Sequence, residues 1–116
     1  MQRFSNHLMG VDQGDVQLFS DFEDDGPMWR GTGARARIVP VRFSARYRHP
    51  PVVHVSISLW DIDTKSSVRA DIRAENITET GFDLVFRTWS DTRVARARGA
   101  WMSIGELPHA DNWELY

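Results

Sequence analysis

Five consecutive residues, Thr88-Trp89-Ser90-Asp91-Thr92, put one large aromatic ring among three hydroxyls and a carboxylate. They join two strand-like segments inside the stretch Gly81 to Gly105. Such a set is poor core material, because burying its polar groups without partners costs free energy. It suits a saccharide. One indole face covers the C–H side of a pyranose with few torsions to freeze. Carboxylate and hydroxyl neighbours bond the sugar hydroxyls, the charged acceptor more strongly than a neutral one. The same tryptophan, taken alone, also fits a half-buried residue at a strand end.

Other chemistry-bearing residues offer less. Asp61-Ile62-Asp63 sets two carboxylates at a strand end without a third ligand nearby, which fits a turn better than a divalent cation. The histidines His7, His49, His54 and His109 lack zinc spacing. His54 stands on a strand row that a three-fold axis would triplicate, and a packed, hydrogen-bonded histidine is the simpler reading. Asn76-Ile77-Thr78 is a formal glycosylation sequon that also reads as a turn. Trp29, Trp60 and Trp113 fit surface or interface positions. No Gly-rich phosphate loop, nucleophile–base pair or Cys–His arrangement occurs, so no catalytic residue, metal or cofactor is expected and the chain does not read as an enzyme.

These residues must be carried on strands. Period-2 alternation dominates the chain and no convincing helical period appears. Asp15 to Phe22 alternates through Val16, Leu18, Ser20 and Phe22. Val41, Phe43, Ala45 and Tyr47 alternate with Arg42, Ser44, Arg46 and Arg48. Val53, Val55, Ile57 and Leu59 form an inner row against His54, Ser56, Ser58 and Trp60. Val68, Ala70, Ile72 and Ala74 oppose Arg69, Asp71, Arg73 and Glu75. Phe82, Leu84 and Phe86 face away from Asp83 and Arg87. Ala95, Ala97, Gly99 and Trp101 form a small-to-large row that predicts a tapering interior. Glu23 to Arg37 reads as a loop, as do Asp61 to Ser67 and Asn76 to Gly81. About six short strands with turn signals between them predict an all-β, six-stranded antiparallel sandwich. The arginine-rich outer rows read as a solvated, ion-paired face, as a contact between protomers or, third, as a polyanion-binding groove, which the interleaved acidic residues break up.

At 116 residues the chain has the size of one domain, read as residues 1–116 with a core at about 10–106 and a tail from 107 to 116. A net charge of −2 gives no reason to expect nucleic acid or an anionic membrane as partner. The absence of cysteine excludes disulfides and thiolate metal sites. No run reaches the ~18 apolar residues of a membrane span, so no membrane insertion is expected. The start, MQRFSNHLMGVDQGD, lacks the apolar segment of a signal peptide. Every basic residue but Lys65 is arginine, the cation better suited to interfacial pairing.

His-Pro-Pro-Val-Val-His-Val-Ser-Ile-Ser (49–58), Leu-Trp-Asp (59–61) and Val-Arg-Ala (68–70) are followed by Thr80-Gly81-Phe82, the 88–92 corner and Trp101-Met102-Ser103-Ile104. In this order and spacing the chain resembles the H-type lectin domain, the type found in snail agglutinins and slime-mould discoidins. The resemblance implies a carbohydrate-binding lectin that assembles as a parallel homotrimer, secreted or surface-associated. It also implies N-acetylgalactosamine or galactose-type glycans as partners, sites near protomer boundaries and no obligatory metal. By position, Arg69 matches the family's sugar-contacting arginine and Trp89 the tryptophan beside the sugar. Ser90 stands where snail agglutinins carry a histidine, and Asp91 could compensate with a carboxylate for a hydroxyl pair. Asp24 or Asp25 is the candidate for the aspartate of the N-terminal loop, where Trp29 would add a second stacking surface. Arg69 could instead be a cross-strand partner of Asp71 or Asp83. The competing function is a trimeric structural or assembly module, of phage-tail or surface-appendage type, with a vestigial sugar site.

Overall fold

The computed structural model describes residues 1–5 and 8–108; the expectations for His7, His109, Trp113 and most of the tail lie outside them. Six strands run in order β1 (Met9–Ser20), β2 (Arg35–Arg42), β3 (Val52–Ile62), β4 (Ala70–Glu75), β5 (Gly81–Thr88) and β6 (Val94–Glu106), with a one-turn helix α1 (Pro27–Arg30) between β1 and β2. They form two three-stranded sheets, β1-β6-β3 and β2-β5-β4. All four pairings are antiparallel. The all-β sandwich expected from period 2 is the observed fold. Among the described residues no helix is long and apolar enough to cross a membrane.

The core lies between the sheets and is aromatic at one end. Phe43 meets Tyr47 edge-on at 5.1 Å, and Phe82 meets Trp101 at 5.6 Å. Leu84 and Phe86 are fully buried, each contributing about 1.5–3 kcal/mol by leaving water. The taper expected along β6 is present. A Cβ on Gly99 would stand 2.8 Å from Leu84 Cδ2, and one on Gly14 would stand 2.6 Å from Trp101 Nε1.

Two strand expectations are corrected. The alternation from Val41 to Tyr47 is not a strand. β2 ends at Arg42, and Phe43 and Tyr47 reach the core from a loop. Their backbone N–H groups donate to Thr80 O at 3.0 Å and Glu79 O at 2.9 Å, and the Tyr47 hydroxyl lies 2.7 Å from Ser103 Oγ. Two anchored loop rings thus imitate a strand period. The residues read as loop up to Arg37 instead contain α1 and the first residues of β2. The first strand begins at Met9 rather than Asp15. A register shift between Gln17 and Phe19 turns Phe19 inward beside Leu18, so Phe22 falls outside the strand and is exposed. A β-bulge of this kind breaks the simple alternation.

The topology gathers the candidate residues. β1, β3 and β5 end, and β2, β4 and β6 begin, at the same end of the sandwich. The connections 21–34, 63–69 and 89–93 therefore meet there.

Candidate functional site

The connection 89–93 crosses from β5 in one sheet to β6 in the other, and it is latched to the connection before β4. Thr88 and Thr92 are buried at 1% and 0% exposure. Thr88 Oγ1 donates to Arg69 O at 2.6 Å, and Thr92 Oγ1 accepts from Arg69 N at 3.1 Å. Both backbone groups of Arg69 are thereby held by threonine hydroxyls. Asp91 Oδ1 accepts from Ser67 N at 3.2 Å and from the Ser67 hydroxyl. These two donors, with a smaller contribution from the nearby Arg69 charge, hold the Asp91 carboxyl below its usual range. It is a carboxylate at neutral pH.

Ser90 has a left-handed backbone (φ 64°), a conformation that normally costs a residue with a Cβ roughly 1–2 kcal/mol. Its carbonyl explains how the corner holds that shape: it accepts from Gly33 N at 2.8 Å and Arg35 Nη2 at 3.3 Å. Arg35 is the hub of this end of the fold. It donates to Gly33 O at 2.9 Å, Pro27 O and Met28 O at 3.2 Å, and Thr92 O at 2.8 Å. Burial lowers its pKa. One guanidinium thus ties together the segments of chain that surround the corner's underside. Arg35 and Ser67 had no distinguishing signal in sequence, and Thr92, named with the corner, gave no sign of its inward supporting role. Hydroxyls in loops are common, and pairing Ser67 with Asp91 requires knowing that two distant connections meet.

Trp89 and Ser90 are exposed, and the Trp89 ring forms one wall of an open groove of about 520 Å³. Arg69 directly precedes β4 and Trp89 directly follows β5, whose terminal pair is Ala70↔Thr88. Arg69 is not a partner of Asp71 or Asp83: Asp71 pairs with Arg73 at 2.9 Å, and Asp83 accepts from Asn76 Nδ2 at 3.0 Å. Arg69, Trp89, Ser90 and Asp91 are therefore brought together on one exposed lip. Asp24 and Asp25 make no hydrogen bond or ion pair with these four residues. Asp24 is exposed in the turn before α1, and Asp25 pairs with Arg30 at 3.4 Å. Trp29 has the Arg93 guanidinium over one face at 4.2 Å and Phe22 edge-on at 5.1 Å.

Asp61 and Asp63 have structural partners. Asp63 Oδ1 accepts from Lys65 N at 3.2 Å, which closes the turn after β3, and Asp61 meets Arg96 at 3.3 Å. Asp21, which sequence reading passed over, is buried. It accepts from Met28 N at 3.0 Å and from Arg37 at 3.1 Å, fixing the start of α1. Among the described residues no group of three or more His, Asp or Glu side chains gathers to hold a metal ion.

The H-type lectin domain profile matches residues 38–104, more than half of the chain and the whole of the corner with its latch. The chain belongs to the H-type lectin domain family. It is 48% identical over 107 residues to a Fuscovulum blasticum protein named "ATP synthase subunits region ORF 7", covering 92% of this chain and 93% of that one. It is 35% identical over 65 residues to Discoidin-2 of Dictyostelium discoideum, covering 55% of this chain and 25% of the discoidin. The solved structure of recombinant discoidin II from the same organism superposes with a TM-score of 0.74 at 25% identity, over 90% of this chain and 40% of that chain. The chain thus spans less than half the length of the discoidins it matches. An H-type lectin domain is a carbohydrate-binding type, and the exposed Trp89 lip lies inside the matched segment, whereas Asp24 and Asp25 lie before it.

Proposed function

We propose that this H-type lectin domain binds terminal N-acetylgalactosamine or galactose-type residues at the Arg69–Trp89–Ser90–Asp91 lip, and that it does so as a homotrimer. The observation that carries the reading is the double threonine latch on the Arg69 backbone. It fixes the Arg69 backbone next to the connection that carries the exposed Trp89 and the ionised Asp91. The indole covers the apolar face of the sugar. Arg69 and Asp91 make charge-assisted bonds to its hydroxyls. Ser90, shorter than the histidine of snail agglutinins, contributes a hydroxyl at the lip and leaves more room above the ring. Asp24 or Asp25 of the adjacent protomer completes the site across a boundary.

The trimer reading is supported by the outer face of the β1-β6-β3 sheet. Its rows carry Val11, Ile104 and Val52, then Gln13, Met102 and His54, then Asp15, Ala100 and Ser56. Val11, Val52 and Met102 are exposed there, and an apolar stripe with a polar rim is the composition of a contact surface. A single shallow sugar site binds near the millimolar level, about −4 kcal/mol. Three sites on one particle raise avidity by about 10²–10⁴ where the spacing fits.

Glycan-array binding of the intact assembly, with Arg69→Ala and Trp89→Ala alongside, tests the site. Loss of signal in both variants is expected; a blank array from a correctly folded trimer favours the assembly-module reading instead. Light scattering at micromolar concentration tests the trimer, and a monomer mass refutes it.

A further inference from the structure

The lip is the first rung of a longer surface. Arg69, Trp89 and Ala34 adjoin the terminal pairs Ala70↔Thr88 and Arg35↔Thr88 at the rim of the β2-β5-β4 sheet. The next outward rung is Ala36, Arg87 and Asp71, and Arg73 stands below it beside Val85. Outward side chains recur every two residues, roughly 6.6 Å along a strand, so the second rung lies about one sugar ring further on. The groove walled by Trp89 runs over this rung and is lined by Ala36, Asp71, Arg73 and Arg87. Its volume, about 520 Å³, is in the range of small-ligand sites, and its floor is alanine.

Its charge is positive. On the outer face Arg73 and Arg87 line it beside Asp71 and Glu75, and Arg35, in the inward row opposite Thr88, adds one further positive charge at its edge. Arg87 meets Glu75 at 2.9 Å and Arg73 meets Asp71 at 2.9 Å. Both pairs are solvent-exposed, the kind that adds little to stability and is readily exchanged for another oxyanion. Arg35 spends its donors on carbonyl oxygens, so its charge is not neutralised.

We propose that this groove is a second saccharide subsite that takes an anionic residue, a uronate, sialate or sulfate ester, linked to the sugar held at Arg69 and Trp89. The proposal rests on the reading of that lip as a sugar site. The alanine floor lets a ring lie along the sheet, Arg87 and Arg73 present planar donor edges to the carboxylate or sulfate, and Asp71 accepts from ring hydroxyls.

The test is an array carrying galactose and N-acetylgalactosamine in three forms: alone, linked to glucose, and linked to glucuronate. At low salt the glucuronate form is expected to bind about tenfold more tightly than the other two, the gain of one charge-assisted bond, and the gain shrinks as salt is raised. Arg87→Gln removes the preference for glucuronate and keeps monosaccharide binding. Ala36→Leu fills the floor and weakens both disaccharides while sparing the monosaccharide. Equal binding of the glucose and glucuronate forms overturns this proposal alone. So does an unchanged preference in a folded Arg87→Gln protein. Absence of binding to all three forms overturns the sugar reading of the lip together with it.

Discussion

Replacing Thr92 by valine removes one oxygen from the corner and little else. The side chain is fully buried, and valine matches its shape, so no cavity opens. What disappears is the acceptor for Arg69 N at 3.1 Å and the neighbour of Ser67 Oγ at 3.2 Å. A buried hydrogen-bonding partner left without its mate costs about 1–3 kcal/mol. Arg69 borders solvent, and water can partly replace the threonine, so the lower half of that range applies, about 1–2 kcal/mol. For a chain of this length each kcal/mol moves the melting temperature by about 4 °C, so a fall of about 4–8 °C is expected. Sugar affinity should fall several-fold as well, although Arg69, Trp89 and Asp91 are all still present, because the backbone that aims Arg69 has lost one of its two threonine latches. Thermal unfolding and titration with a neoglycoprotein measure the two effects. Thr92→Ser separates them: it keeps the oxygen and loses a methyl, so it should destabilise the fold and leave sugar affinity near wild type. A Thr92→Val protein within about 0.5 kcal/mol of wild type, or Val and Ser variants with the same sugar affinity, would refute the latch.

Three further outcomes follow from the same geometry. Asp91 has a folded pKa below its unfolded value, so its contribution is present above the unfolded pKa and is lost as pH falls through the folded one. The stability advantage of wild type over Asp91→Asn should therefore hold at neutral pH and close only below about pH 4; a gap that instead closes between about pH 8 and 6 contradicts the assignment. Arg35→Met removes the ties to five carbonyls, of which those to Met28 O and Thr92 O are part-buried. Those two, as bonds to a charged donor, predict a loss of about 3 kcal/mol in urea unfolding, and a loss under about 1 kcal/mol would show that the loops hold without the hub. Gly99→Ala drives a Cβ to 2.8 Å from Leu84 Cδ2 and 3.1 Å from Ile72 Cδ1. Overpacking of this size costs about 1–3 kcal/mol, with sugar affinity unchanged because the site lies elsewhere.

The sandwich was legible in the sequence wherever both sheet faces repeat every two residues, as in β3 and β6. It was misread where a buried ring comes from a loop, as with Phe43 and Tyr47, or where a bulge shifts the count, as at Leu18 and Phe19. Periodicity reports only that a side chain is apolar at an interval. It does not report whether the backbone between two such positions is extended. The exposed half of the candidate site was legible too, because Trp89 and Asp91 are out of place in a core and Arg69 falls at a family position. The supporting half was not: Ser67 is an ordinary loop serine, Arg35 opens a strand like any other arginine, and nothing in the corner's sequence says that Thr92 turns inward to hold Arg69.

From its residues alone the chain specifies an all-β fold, a polar corner with an aromatic lip, and membership in a lectin family. Those properties are local, set by side-chain type and by alternation along one strand. Only the tertiary structure decided which pieces meet. Six strands alternating in direction bring the connections 21–34, 63–69 and 89–93 to one end, where Arg35 donates to carbonyls on two of them and two threonines grip Arg69. The same register extends the lip into a cationic groove by placing Ala36, Arg87 and Asp71 side by side. Pairings between segments far apart in the chain are made by sheet register and loop closure, and neither is written in any single segment.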